Sequence, residues 1–296
     1  MDEPIADRLH LARIVGERVV RSTIQSLVLG LVMLLACTGA QAAEPTAEAL
    51  VAKKAAILEL LHSKARKALV TAAQDAKYRD YFTSGSDSER ARLKNHIDAI
   101  SLEVQSHFHV EEMCLIDPAG AEISRIVGNA IAHDLDLGES DNVFFRPGFA
   151  LRARTVYVSP IYISSDASKW VVAYVTPIVV AGETKAILHY EHSLAAYQAA
   201  LNKGIGGDES FIVAVHPDGW IISDSRAPID IEAKGESEAP ADYFAPFTWA
   251  DMTADELKAR LGGRASGSGV IAIGSETYDV AYRTVEQWML IVVNQR

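Results

Sequence analysis

The hydrophobic positions that follow residue 45 recur with the spacing of an α-helix. In residues 47–73 the apolar side chains form one helical stripe, made of Leu50, Ile57, Leu58, Leu61, Ala65, Ala68 and Leu69. Pro45 precedes this segment, and proline is common just before or at a helix start. A second amphipathic helix is predicted after Ser86 and Glu89, which form a capping-box pattern. Both helices need another element to cover their apolar faces.

After residue 109 the pattern changes to short runs rich in Val, Ile and Tyr, which are typical of β-strands. Residues 112–127 are predicted to form a β-hairpin, because Pro118 and Gly120 stand where a β-turn needs them. Three more strands are predicted at residues 155–164, 170–179 and 185–192. A short helix is predicted at residues 194–202.

The C-terminal part of the chain repeats this order on a smaller scale. A second hairpin has Pro217 and Gly219 at its turn, 99 residues after the turn of the first. A polar insertion, a helix and three strands follow, at residues 227–243, 253–261, 270–273, 278–284 and 288–293. Two copies of one plan predict two similar modules in tandem.

These segments together resemble the double Cache domains, PAS-like sensor domains found outside the membrane in bacterial chemoreceptors and sensor kinases. The resemblance lies in the long helix followed by residues 115–120 (LIDPAG), 156–162 (VYVSPIY) and 170–178 (WVVAYVTPI). It implies an α+β fold in which two PAS-like modules follow the long helix, each an antiparallel sheet with flanking helices. The amino-acid-binding branch of the family carries an Arg-x-Trp-Tyr motif that this sequence lacks, so specificity for amino acids is not expected.

The resemblance also implies a division of the chain. We expect the two N-terminal helices in residues 43–109, a ligand-binding module of the membrane-distal type in residues 110–203, and a smaller module in residues 204–296. In this family the second module usually transmits the signal.

The N-terminal residues have the pattern of an export signal. The apolar run at residues 24–36 is shorter than the ~20 residues of a membrane span, and Ala40 and Ala42 stand where signal peptidase needs small side chains. We therefore expect residues 1–42 to be a signal peptide cleaved after Ala42, which would make the protein periplasmic or secreted. Lipid anchoring at Cys37 and an uncleaved membrane anchor are open alternatives.

Charge and motifs exclude several functional classes. The net charge is −11 and no long Lys/Arg run exists, so nucleic acid is not an expected partner. The sequence has no Gly-x-Ser-x-Gly, Cys-x-x-Cys or His-Glu-x-x-His motif, which argues against an enzyme. His189 and Glu191 share one face of a predicted strand, but zinc needs three or four converging ligands. We therefore expect neither a metal site nor a cofactor.

Candidate ligand-binding side chains cluster in the first module. Small-molecule sites combine apolar and aromatic walls with a few polar groups that fix orientation. Side chains of these kinds are Arg125, Asp134, Phe144, Arg146, Tyr157, Ser159, Tyr162, Trp170, Tyr174 and Glu191. An arginine such as Arg146 would hold the carboxylate of an organic acid, whereas Glu191 would suit an amine, and the sequence leaves this choice open.

The sequence thus predicts a non-catalytic sensor that binds a small organic acid or amine. No membrane span follows the last predicted strand, so we expect it to pass its bound state to a membrane receptor or sensor kinase. The first helix is the expected contact surface and the expected interface of a homodimer. The alternatives are a periplasmic scaffold that kept the fold but lost the pocket and, less favoured, a periplasmic hydrolase.

Overall fold

Three helices open the part of the chain that the computed structural model describes, which comprises residues 45–108, 111–205, 210–229, 232 and 239–296. They are α1 (Ala47–Ala72), α2 (Ala76–Thr83) and α3 (Asp87–Phe108). The Thr46 hydroxyl caps α1 by accepting a hydrogen bond from the Ala49 amide. The sequence predicted α1 and α3 but not α2. The predicted signal peptide and Cys37 lie outside the described residues.

The first sheet has six antiparallel strands in the order β3-β2-β1-β6-β5-β4. They are β1 (Glu112–Ile116), β2 (Glu122–Val127), β3 (Ala130–Ile131), β4 (Tyr157–Ser164), β5 (Lys169–Val180) and β6 (Glu183–Ser193). Between β3 and β4 the chain forms what we call the covering segment, residues 132–154. It contains a 3-10 turn (Glu139–Asp141) and the short helix α4 (Phe145–Phe149). The helix α5 (Leu194–Asn202) follows β6.

The second sheet has five antiparallel strands in the order β8-β7-β11-β10-β9. They are β7 (Ser210–Val215), β8 (Ile221–Asp224), β9 (Ser266–Ile273), β10 (Glu276–Val285) and β11 (Trp288–Gln295). Two short helices, α6 (Pro240–Tyr243) and α7 (Ala254–Arg260), lie between β8 and β9. The α+β class with two antiparallel, PAS-like sheets is therefore confirmed, whereas the module boundaries stay predictions.

The two hairpins have the same local geometry. In β1 and β2 the register shifts between Leu115 and Ile116, which marks a β-bulge. In β7 and β8 it shifts between Ala214 and Val215, 99 residues later in the chain. The turn glycines Gly120 and Gly219 have φ of +88° and +91°, a conformation that glycine adopts without strain. This agreement supports the repeat that the sequence predicted.

The largest apolar core lies where α1 contacts strands of both sheets. We call the sheet faces that look towards α1 the inner faces. The buried stripe of α1 includes Val51, Leu58 and Leu69, as well as the polar Lys54 and His62. No described helix is both long enough and apolar enough to cross a bilayer.

Two smaller apolar cores lie on the outer faces of the sheets. On the second sheet, α7 and the segment before it cover Val213, Tyr282 and Ile291. On the first sheet, the covering segment packs over Ile116, Val175 and neighbouring side chains. The surface under the covering segment also carries buried ionisable side chains, among them Glu112, Glu122 and Arg125.

Candidate functional site

A group of polar side chains lies at the centre of the outer face of the first sheet. In the strand register Cys114 of β1 stands between Arg125 of β2 and His189 of β6, and Glu112 stands opposite Glu191. Residues that pair across neighbouring strands point to the same side of the sheet. We call the buried set on this face the polar cluster, which comprises Glu112, Cys114, Glu122, Arg125, His189 and Glu191.

The β-bulge in β2 brings Glu122 into the polar cluster. Glu122 pairs with Ile116 and Arg125 pairs with Cys114, so the two side chains point to the same side although they are three residues apart. In a regular strand, residues three positions apart point to opposite faces. The bulge adds one residue, Ile123, and thereby restores the alignment.

Arg125 is surrounded by carboxylates, and its side chain is only 6% exposed. Its terminal nitrogens lie 3.0 Å from Asp134 Oδ1, 3.2 Å from Asp166 Oδ1 and 3.5 Å from Glu122 Oε2. Its Nε lies 3.9 Å from Glu112 Oε1. Both terminal nitrogens are therefore engaged already, and they do not offer a free fork to the carboxylate of an organic acid.

The Cys114 thiol lies between two glutamates. It donates to Glu122 Oε1 at 3.0 Å, and Glu112 Oε1 lies 3.4 Å away. Burial raises the pKa of Cys114 well above its ordinary value, and burial likewise raises the pKa of Glu112 and of Glu122. Burial therefore favours the protonated form of each of these three groups.

His189 and Glu191 extend the polar cluster along β6. The Tyr162 hydroxyl donates to Glu191 Oε1 and lies 3.1 Å from His189 Nε2. Burial lowers the pKa of His189 to about 3, so this imidazole is neutral at pH 7. Glu191 Oε2 and His189 Nδ1 have no hydrogen-bond partner within the described part of the chain.

The covering segment closes the polar cluster from above. The Phe144 ring stacks on the His189 ring, with centroids 4.0 Å apart. The Asp136 amide donates to Glu122 Oε2 at 2.6 Å, which fixes the segment to β2. Gly148 of α4 lies so close to the sheet that a Cβ there would be 2.6 Å from Val175 Cγ1. Any ligand must therefore be small, or the segment must move to admit it.

The structure brings five of the predicted site residues together. Arg125 and Glu191 belong to the polar cluster, Phe144 and Tyr162 pack directly against it, and Asp134 pairs with Arg125 at the rim, where its side chain is 87% exposed.

Three other predicted residues lie further away. Tyr157 is half-buried on the same outer face, towards its apolar side. The Ser159 hydroxyl accepts from the Ala173 amide at 2.9 Å, beside a register shift in β4. Arg146 is exposed on α4.

Trp170 and Tyr174 lie on the inner face and do not share the site. Trp170 packs against Tyr243 and Phe244, with ring centroids 5.4 Å and 5.0 Å away. The Tyr174 hydroxyl bonds to Tyr197 at 2.8 Å and to His62 of α1. These two aromatic side chains connect the first sheet to α1 and to the second module instead.

Sequence reasoning did not select Glu112, Cys114, Glu122 or His189 as site residues. A signal was present for three of them, because Glu112 and Cys114 alternate in β1 as His189 and Glu191 do in β6. Polar residues at period two inside otherwise apolar strands indicate a polar patch on one face. Glu122 carried no such signal, because its orientation depends on the bulge.

The second hairpin shows what the same backbone looks like without these charges. The positions equivalent to Glu112, Cys114 and Glu122 are Phe211, Val213 and Ile221, each 99 residues later. All three belong to the apolar core on the outer face of the second sheet. At the position equivalent to Arg125 the second hairpin has Asp224, which pairs with Arg226. The bulged hairpin therefore folds with apolar residues in place of Glu112, Cys114 and Glu122, and these three are not needed to build it.

Two cavities of more than 500 Å³ open elsewhere on the molecule. One of about 510 Å³ lies between α1 and α3 and is lined by Lys64, Ala68 and Val104 among others. Another of about 530 Å³ lies at the turn of the second hairpin, beside the stacked rings of His216 and Trp220. Neither is lined by the polar cluster.

Sensory domains of bacterial receptors have similar folds. The sensory domain of the Campylobacter jejuni chemoreceptor Tlp3 (CcmL) with isoleucine bound matches with a TM-score of 0.62 and 13% identity, over 83% of this chain and 89% of that one. The ligand-binding domain of the same receptor in complex with L-valine gives 0.62 and 13%, over 83% and 90% of the two chains. The sensor domain of the V. cholerae histidine kinase DctB gives 0.55 and 12%, over 84% and 95%.

No protein-family model matches the chain, and no curated protein sequence is significantly similar to it. The solved structures show the fold, which is that of these sensory domains and agrees with the double PAS-like fold that the resemblance to double Cache domains implied.

Proposed function

We propose that this protein is an exported sensor module that binds a small, positively charged ligand at the polar cluster, performs no chemistry on it, and passes the bound state to a membrane partner. One observation carries the proposal: three carboxyl groups, those of Glu112, Glu122 and Glu191, are buried on the outer face of the first sheet. Burying such groups is costly unless they are compensated, and titratable groups in such surroundings concentrate at functional sites.

The second hairpin supports the view that the buried glutamates of the first serve a function and not the fold. It has the same bulge, with apolar residues at the positions equivalent to Glu112, Cys114 and Glu122. Because the backbone does not require the charges, we infer that they are retained for binding.

The charge balance favours a cation over an organic acid. Glu112, Glu122 and Glu191, with Asp134 and Asp166 at the rim, face the single guanidinium of Arg125. Burial favours the protonated forms of the three glutamates, so the negative field comes mainly from Asp134 and Asp166, whose two carboxylates outnumber the one guanidinium. A ligand carboxylate would add to the repulsion, whereas a bound cation would take the place of the buried protons. Of the two ligand classes that the sequence left open, the amine fits this field.

The fold likeness supports the sensor role and the export. The similar structures are sensory domains of a chemoreceptor and a histidine kinase. The apolar run at residues 24–36, followed by Ala40 and Ala42, adds the pattern of a signal peptide. A periplasmic location agrees with both observations.

The strands β5 and β6 provide a route from the ligand to α1. Glu191 points outward from β6, and its neighbour in the register, Ala173, is followed in β5 by Tyr174, which contacts His62 of α1. The helix α1 also contacts β10 and β11 of the second sheet. A ligand shifts an equilibrium only if it binds the two states differently. In this proposal the two states differ in the contact between β5 and α1. The membrane partner and a homodimer through α1 stay predictions.

Thermal unfolding of the full chain against a panel of amines, metal cations and organic acids tests the proposal. We expect at least one cation, and no organic acid, to raise the melting temperature. Glu191→Gln should lose most of this response, whereas Glu183→Gln, an exposed change on the same strand, should keep it. A response to acids alone, or one that Glu191→Gln leaves intact, would contradict the proposal. Mass spectrometry of the recovered ligand checks that it is unchanged.

A further inference from the structure

Three side chains of the polar cluster are placed like the ligands of a metal ion. Cys114 Sγ is 3.0 Å from Glu122 Oε1 and 3.4 Å from Glu112 Oε1. One ligand atom from each of the three residues lies within 4.8 Å of the other two. In a tetrahedral zinc site, bond lengths of about 2.3 Å to sulfur and about 2.0 Å to oxygen put neighbouring ligand atoms about 3.5 Å apart. The observed spacing is close to that of ligands around one ion.

Two further side chains next to these three have a free ligand atom. Glu191 is 2% exposed and His189 is 1% exposed, yet Glu191 Oε2 and His189 Nδ1 have no hydrogen-bond partner in the described ranges. Glu191 stands opposite Glu112 in the register, and His189 stands opposite Cys114. An unsatisfied polar atom in such a place is costly, and a bound cation would remove the cost.

Arg125 does not take the place of such a cation. It is closest to Asp134 and Asp166, at 3.0 Å and 3.2 Å, which are ordinary hydrogen-bond lengths. It is further from Glu122 and Glu112, at 3.5 Å and 3.9 Å. Arg125 approaches Glu122 through Oε2, whereas Glu122 Oε1 faces Cys114 Sγ, so the Glu122 oxygen beside the cysteine is available to a second cation. Glu112 Oε1, 3.9 Å from the Arg125 Nε, lies beyond hydrogen-bond length from it and is available as well.

We infer that the ligand of the proposed sensor is a divalent transition-metal ion such as Zn²⁺, held by Cys114, Glu112 and Glu122 and completed by Glu191 or His189. This inference rests on the proposed function, because it names the cation that the polar cluster binds. A sulfur ligand favours Zn²⁺ over Mg²⁺ and Ca²⁺, which prefer oxygen ligands. On binding, the Cys114 thiol releases its proton to solvent and forms the sulfur–metal bond.

A cobalt titration identifies the sulfur ligand directly. Co²⁺ bound to a thiolate absorbs in the near ultraviolet by sulfur-to-metal charge transfer. The full chain contains two cysteines, Cys37 and Cys114, so each can be replaced in turn. We expect the band in the wild type and in Cys37→Ser, and we expect Cys114→Ser to lack it.

Zinc binding is measured on the same proteins. Zn²⁺ at a hundred times its Kd should raise the melting temperature of the wild type and of Cys37→Ser by about 5 °C, and Mg²⁺ should not. Glu122→Gln keeps the side-chain size but removes a charged ligand, so it should weaken Zn²⁺ binding at least about ten-fold. A melting curve without metal shows whether each variant is folded. If Cys114→Ser does not fold, the Zn²⁺ affinity of Glu122→Gln tests whether the metal binds at this site.

The possible results separate this inference from the proposed function. The inference is overturned if the wild type gives no charge-transfer band, or if Cys114→Ser keeps it. If Zn²⁺ has no effect but an amine stabilises the wild type and not Glu191→Gln, the metal assignment fails and the proposed function stands. If no cation stabilises the wild type, both fail.

Discussion

The burial of His62 between α1 and the two sheets predicts that the fold loses stability as the pH falls below the range where a free histidine becomes charged. His62 is 2% exposed. The centroid of its ring lies 5.8 Å from the ring centroid of Tyr174, 5.7 Å from that of Tyr197 and 6.1 Å from that of Trp288. A protonated imidazole in this aromatic setting would lose its hydration without gaining a strong partner.

The size of this loss in stability follows from the pKa of His62, which burial lowers from 6.5 to about 4. Of the charged groups that face it, Glu286 raises this pKa, whereas Arg66 and His192 lower it. Because the folded-state pKa lies below the unfolded-state value, the unfolded chain binds the proton more tightly. The contribution of neutral His62 to the free energy of unfolding is therefore complete above about pH 6.5 and decreases as the pH drops towards 4. This loss amounts to about 3 kcal/mol at most.

Denaturant unfolding of the wild type and of His62→Gln, from about pH 7.5 to about pH 4, measures this effect. We expect the wild type to lose up to about 3 kcal/mol more than His62→Gln over that range, because the variant has no group to titrate at this position. The exposed His133→Gln serves as the matched control and should follow the wild type. Parallel curves for the wild type and His62→Gln would refute the reasoning.

Two further predictions concern packing. Gly148→Ala should lower the free energy of unfolding by about 1–3 kcal/mol and speed hydrogen exchange in the covering segment, because the new Cβ would lie 2.6 Å from Val175 Cγ1. Gly138→Ala should have neither effect, because its Cβ would make only an ordinary van der Waals contact. Leu58→Ala should cost about 2–5 kcal/mol in denaturant unfolding, because Leu58 is fully buried on α1, whereas the exposed Leu60→Ala should change stability by less than about 0.5 kcal/mol. Equal effects within either pair would contradict these assignments.

The sequence predicted those elements whose hydrophobic period is visible. Strands and long helices bury a regular set of side chains, so α1, α3 and most strands were found. The helix α2 buries only Tyr78 and therefore shows almost no apolar stripe. The strand β9 begins at Ser266, four residues before the predicted start, since its first half is built from serine and glycine.

The site was predicted less completely, for two physical reasons. Most of β5 is buried on both faces, so alternation shows that Trp170 and Tyr174 share a face but not which face looks towards α1. The orientation of Glu122 depends on a bulge, which the local pattern does not reveal. The burial of Lys54 and His62 on α1 is not visible in the sequence, because the apolar period that predicts the buried stripe carries no information about polar residues.

The position of α1 also determines how cooperatively the protein unfolds. The helix α1 contacts the inner faces of both sheets, so its detachment would expose apolar side chains of both, while α2, α3 and α5 would still cover other parts of the first sheet. Loss of α1 would therefore leave two incomplete halves rather than one intact lobe, and heat or denaturant should melt the described unit in one cooperative step.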